Sequence, residues 1–132
     1  MDYSKFLDKN NVVAVVGVSR DSKKWGHRIF KKLIDSGFNV YAVNPKYSKI
    51  AGIKCHPTIK SLPAKPNVVI IVVPPKITEK IVEECKALGV KMIWMQPGSE
   101  SEKAIAFCEE NNIEVVYNAC LVVDGLRANF NN

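Results

Sequence analysis

The sequence predicts an α/β protein built on a doubly wound, mostly parallel sheet. Three observations carry that expectation. Five short apolar runs, most of them rich in β-branched or aromatic residues, recur along the chain. These runs are continuous rather than alternating, the pattern of strands buried on both faces. Amphipathic segments of helical period lie between them, so strand and helix alternate.

A short amphipathic helix carrying Phe6 and Leu7 is expected first, before the strand "VVAVVGV" (12–18). Residues 25–36 place Trp25, Ile29, Phe30, Leu33 and Ile34 on one helical stripe, with Gly37 as the stop. "FNVYAVN" (38–44) is the second strand. Segment 45–66 holds Pro45, Pro57, Pro63 and Pro66 and shows no helical pattern. So long a structureless stretch is unusual in a compact domain, and a short edge strand is expected near 53–55. "NVVIIVV" (67–73) follows, then a helix over 77–88 with Ile77, Ile81, Val82, Cys85 and Leu88 on one stripe and Gly89 as its stop. After "VKMIWM" (90–95), Ser99-x-x-Glu102 reads as a capping box opening a third helix, with Ile105 and Cys108 inward. "IEVVYN" (113–118) closes the order β-α-β-(β)-β-α-β-α-β, which implies right-handed crossovers.

The chain has 132 residues, 47% hydrophobic and 24% charged, enough for one domain with a real core, expected over 1–132. Nineteen Lys and Arg against thirteen Asp and Glu give a net charge of +6, which favours an anionic partner without choosing one. Cys55, Cys85, Cys108 and Cys120 form no Cys-x-x-Cys pair, and His27 and His56 are the two histidines, so a zinc site is not expected. The opening residues lack the apolar core of a signal peptide, and no apolar run approaches a membrane span. A cytoplasmic, reduced protein is the expectation, with no membrane partner.

In doubly wound sheets ligands bind beyond the carboxyl ends of the strands, where strand order reverses. The first such loop is Gly17-Val18-Ser19-Arg20-Asp21-Ser22-Lys23-Lys24-Trp25-Gly26. Gly17 allows a tight turn and Gly26 a close helix–sheet approach. Ser19 stands where the dinucleotide fingerprint has its second glycine, and the spacing is longer. Arg20, Lys23 and Lys24 crowd a helix start that favours acidic residues, an arrangement that suits a bound anion or, equally, a solvated basic loop.

Asn44-Pro45-Lys46 follows the second strand without the carboxylate that holds the ribose of NAD. Lys46 suits an additional phosphate on the ribose instead, which leaves NADP or coenzyme A; Pro45 as a plain turn residue is the alternative. Pro74 and Pro75 form an apolar wall for a base or a pantetheine arm, or simply start the next helix. Gln96 offers a donor and an acceptor toward the crevice, and Gly98 permits close approach. Cys85 and Cys108 read as small core hydrophobes. Cys120, on the ligand side, either packs or faces a bound thiol, where oxidation would give a mixed disulfide with CoA.

The segments "VAVVGVSRDSKKWG", "GFNVYAVNPKYSKIAGIKC", "PNVVIIVVPP", "LGVKMIWMQPGSES" and "VVYNACLV" together resemble the small stand-alone CoA-binding domain proteins. These are similar to the N-terminal domain of the succinyl-CoA synthetase α subunit. The resemblance implies a Rossmann-like sheet of order 3-2-1-4-5 plus a further strand, with strand three near 53–55. It implies that Gly17, Val18, Ser19, Arg20, Lys23, Lys24, Trp25 and Gly26 form the turn beneath the phosphates. Asn44, Pro45 and Lys46 would lie by the nucleotide, Val73, Pro74 and Pro75 would flank it, and Gln96, Pro97 and Gly98 would close the site. The synthetases' phosphate-carrying histidine belongs to a second domain, and neither His27 nor His56 matches it. No Ser-His-Asp, Cys-His or paired-carboxylate arrangement stands at the strand ends. The expected function is therefore non-catalytic binding of CoA or an acyl-CoA. An NADP-binding oxidoreductase or sensor is the alternative, and a nucleic-acid module is disfavoured because the positive charge is spread along the chain.

Overall fold

In a computed structural model, residues 3–126 are described. The strands are β1 (Val12–Val16), β2 (Asn39–Val43), β3 (Lys49–Ile50), β4 (Ile53–His56), β5 (Val68–Ile71), β6 (Met92–Met95) and β7 (Glu114–Val116). The helices are α1 (Trp25–Asp35), α2 (Pro75–Leu88) and α3 (Glu102–Glu110), followed by a π-helical segment over Leu121–Leu126. One seven-stranded sheet runs β3-β4-β2-β1-β5-β6-β7, parallel throughout except for the β3–β4 hairpin. With β3 left aside and β4 counted as strand three, the order is the expected 3-2-1-4-5 with one further strand, β7. The doubly wound, Rossmann-like reading therefore holds, and strand order reverses between β1 and β5.

Alternation along β1 sorts the core into two layers. Val13 and Val15 point to the α1 side, where they meet Ile29, Phe30 and Leu33. Ala14 and Val16 point to the α2–α3 side, where Val82, Cys85, Ala104 and Cys108 pack. On the α1 side the chain ends complete the cover. Trp94 donates from Nε1 to the Ala119 carbonyl at 2.9 Å and packs against Tyr3 and Phe6. Gly125 lies so close that a Cβ there would come within 2.9 Å of the Trp94 ring.

Four expectations are corrected. Phe6 and Leu7 are buried, but they lie on hydrogen-bonded turns rather than on the expected helix. The outermost strand is β3, with β4 inside it, because Ala51 and Gly52 make a tight reversal at positive φ that pairs the two. Trp25 leaves the apolar stripe of α1; it is 44% exposed, with the Arg28 guanidinium 4.3 Å above its ring. The predicted capping box does not form, and a simple side-chain cap lies two residues later. Ser101 caps α3 by accepting from Ala104 N at 3.0 Å, while the Ser99 hydroxyl accepts from Val73 N at 3.1 Å. Segment 57–66 remains without a helix, although Ile59 and Leu62 join the α2-side core.

Candidate functional site: a cleft at the strand-order reversal

The turn after β1 is fixed by two glycines in contact. Gly17 sits at φ +100°, and a Cβ there would fall 2.2 Å from the Val72 carbonyl oxygen. A Cβ on Gly26 would fall 2.2 Å from the Gly17 carbonyl oxygen. Both positions therefore require glycine, and helix α1 starts directly against the end of β1. Between them the loop is tied by its own side chains. Ser19 Oγ accepts from Asp21 N and Asp21 Oδ1 accepts from Lys23 N, while His27 Nδ1 lies 2.7 Å from the Ser19 carbonyl. Asn44 crosses from β2 to hold the same loop, donating to the Val18 carbonyl at 2.9 Å while its Oδ1 accepts from Lys46 N.

Helix α1 begins without help. Lys24 is its N-cap residue and makes no side-chain cap, and the first turn carries no acidic residue. Its first N–H groups are thus left for water or for an anion.

Above these strand ends lies a cleft of about 620 Å³. Gly17, Ser19 and Lys24 line it on the β1 side, and Asn44, Pro45, Lys46 and Tyr47 on the β2 side. Pro57, Thr58 and Ile59 form a wall after β4. Val72, Val73 and Pro74 line it after β5, and Ile77, Ile81 and Glu84 form one face of α2. Between β4 and β5 the chain runs without a helix, and its residues 57–59 wall the cleft opposite α2. Two cations stand at the strand-end side, and most of the remaining lining is apolar.

Of the eighteen predicted site residues, eight line this cleft: Gly17, Ser19, Lys24, Asn44, Pro45, Lys46, Val73 and Pro74. Val18 and Gly26 lie buried beneath the turn. Lys23 and Trp25 are exposed and outside the lining. Arg20 turns away from the α1 start, donating from Nε to the Lys49 carbonyl at 3.1 Å with its guanidinium 4.9 Å from the Tyr47 ring. It thereby fastens the β1 loop to the β2–β3 loop. Pro75 opens α2 at its first position, where its missing N–H costs nothing.

Gln96, Pro97, Gly98 and Cys120 are set apart from the cleft. Gln96 is buried, accepting from Leu121 N at 2.6 Å and donating to Cys120 Sγ at 3.4 Å. Its amide ties β6 to the C-terminal segment rather than facing the crevice. Cys120 is half-buried there, and its N–H donates to Asp124 Oδ2. Tyr47, Thr58, Ile59, Ile77, Ile81 and Glu84 were not foreseen as lining. For α2 the signal was present: Ile77, Ile81 and Glu84 share a face at i, i+4 and i+7, beside a segment with no helix to cover it.

Cys85 and Cys108 are core thiols, as expected. Burial pushes the Cys108 thiol up to about 11 and raises Cys85 further, so both stay protonated in the α2–α3 core. Among the described residues no group of three His, Cys, Asp or Glu is placed to hold a metal ion. No described helix is long and apolar enough to cross a membrane.

The model of the CoA binding domain family matches residues 11–125. The chain belongs to that family. Among its relatives, an ADP-forming acetate–CoA ligase of Methanocaldococcus jannaschii is 31% identical over 139 residues, covering 98% of this chain and 20% of the ligase. ADP-forming acetate–CoA ligase I of Archaeoglobus fulgidus is 47% identical over 74 residues, covering 56% of this chain and 11% of that enzyme. This CoA-binding domain thus spans a fifth or less of the length of those two ligases. A solved conserved hypothetical protein from Pyrococcus furiosus matches at the scale of the domain alone. Its TM-score is 0.80 at 39% identity, covering 84% of this chain and 96% of that one.

Proposed function

We propose that this chain binds coenzyme A, free or acylated, in the strand-end cleft and performs no chemistry on it. The observation that carries the reading is the charge pattern of the cleft. Lys24 lines it from the start of α1 and Lys46 from the loop after β2, with no carboxylate after that strand. CoA carries two separate phosphate groups, a diphosphate and a ribose 3′-phosphate. The diphosphate suits the uncapped start of α1 with Lys24, because free N–H groups and the helix dipole favour an anion there. The 3′-phosphate suits Lys46. The apolar walls of Pro57, Ile59, Pro74 and Ile77 suit a flat base.

Holding without reacting follows from the donor set. The cleft lining offers lysines, amide and hydroxyl groups, and one carboxylate, Glu84, on the third turn of α2. No nucleophile–base pair stands among them. The ligase activity in the relatives' names belongs to chains of which this one covers a fifth or less.

Isothermal titration tests the reading. CoA is expected to bind with a dissociation constant of tens of micromolar or tighter. 3′-Dephospho-CoA is expected to bind about tenfold weaker, roughly the 1.4 kcal/mol of one charge-assisted contact. Failure of CoA to bind in that range, with NADP binding well, would assign the same lysines to a 2′-phosphate instead.

A further inference from the structure

The cleft holds one group that a polyanion site should avoid. Glu84 is the one carboxylate lining it among the described residues, in a protein with a net charge of +6. It forms no hydrogen bond or ion pair among the described residues, although Lys80 lies one turn earlier on α2. Its position resolves the conflict. Nine residues separate it from Pro75, about 14 Å along the helix at 1.5 Å per residue. Lys24 and Lys46 stand on the strand-end side of the same cleft, so along α2 the carboxylate is set off from the end where the phosphates would be held.

A carboxylate at that depth faces whatever uncharged part of the ligand extends between α2 and the 57–59 wall. The 3′-phosphate and the base share one ribose. With the phosphate at Lys46, the base is directed into the apolar stretch between Ile59 and Ile77–Ile81. Adenine carries an exocyclic 6-amino group, two donors on an otherwise acceptor-rich edge. A carboxylate accepts from such a group and repels the carbonyl that guanine or hypoxanthine has in its place.

We propose that Glu84 is a specificity-determining residue that accepts a hydrogen bond from the adenine 6-amino group of CoA. The inference rests on the CoA reading of the cleft. It makes this a site that reads the base as well as the phosphates.

The test pairs two ligands with two proteins. CoA and 1,N6-etheno-CoA, in which the amino group is tied into an added ring and has lost its donors, are titrated into the natural chain and into Glu84→Ala. Glu84 is exposed on a helix and alanine favours helix, so the variant is expected to fold, checked by its circular dichroism. The natural chain should prefer CoA over the etheno form by about tenfold. Glu84→Ala should bind CoA several-fold more weakly and lose most of that preference. Equal CoA affinity in the two proteins, or a preference that survives in Glu84→Ala because it comes from the bulk of the added ring, overturns the role of Glu84 alone. Absence of CoA binding to the natural chain overturns the parent reading as well.

Discussion

Gly17 and Gly26 show how a site can depend on atoms that are missing. Gly17→Ala places a methyl 2.2 Å from the Val72 carbonyl oxygen on a backbone at φ +100°. Left-handed strain of roughly 1–3 kcal/mol adds to overpacking of roughly 1–3 kcal/mol. A loss of about 3 kcal/mol or more is expected in denaturant unfolding, together with loss of CoA binding, because β1, β5 and the α1 start separate. His56 gives a pH signature. Burial, and then the nearby Lys54 charge, lower its pKa below the usual 6.5, and its ring packs edge-on to Tyr41. The unfolded chain therefore takes up the proton first as pH falls. The stability from neutral His56 is complete above about pH 6.5 and declines as pH drops through that value toward the folded pKa. Thermal melts at pH 7.5 and 5.5 should show a decline that is smaller in His56→Asn. The two glycines were legible in the sequence because a glycine directly after a buried strand, with another at the next helix start, marks a turn that any side chain would obstruct. For Glu84 only half was legible: its spacing places it on the face of Ile77 and Ile81, but nothing along the chain sets that face opposite the 57–59 wall.

Helix α1 is built against its own stability. Its N-cap is Lys24, its first turn lacks an acidic residue, and its opening amides are uncapped. Lys24→Asp supplies both missing features, a side-chain cap worth about 1 kcal/mol and a favourable charge at the dipole worth roughly 0.3–1 kcal/mol. For a domain of this size about 1 kcal/mol moves the melting temperature by roughly 3–5 °C. The variant should melt higher while binding CoA at least tenfold more weakly. A variant that melts higher and keeps full affinity would remove the diphosphate from this helix start. Helix α3 shows why caps are hard to place from sequence: Ser99 and Ser101 both precede an acidic residue. The choice is made by Val73, whose N–H takes the Ser99 hydroxyl and leaves Ser101 to cap. The proline-rich stretch was read as helix-free, and it is, and the face shared by Ile77, Ile81 and Glu84 was the one periodic sign of a cleft between it and α2.

At the scale of the molecule, apolar runs alternating with helical segments made the doubly wound sheet legible, and the resemblance to the CoA-binding domain proteins implied its strand order. The cover over Trp94 was not, since turns at residues 3–7 and a π-helical segment at Leu121–Leu126 have no periodic signature. Charge is the other global property, and it makes the last prediction. A net +6 raises the encounter rate of any polyanion, and the gain is screened by salt. Two contributions to CoA affinity then separate by their salt response. Steering by the whole charge acts on every phosphorylated ligand. The contact at Lys46 acts only where a 3′-phosphate is present, a group carrying about −1.5 to −2 charge at pH 7. Raising sodium chloride from about 20 to about 300 mM shortens the Debye length several-fold. CoA affinity should fall over that range, and 3′-dephospho-CoA affinity should fall less steeply. Lys46→Met should bring the CoA slope down to the dephospho slope while leaving the dephospho slope unchanged. Parallel slopes for the two ligands in the natural chain would move the 3′-phosphate away from Lys46 and into solvent.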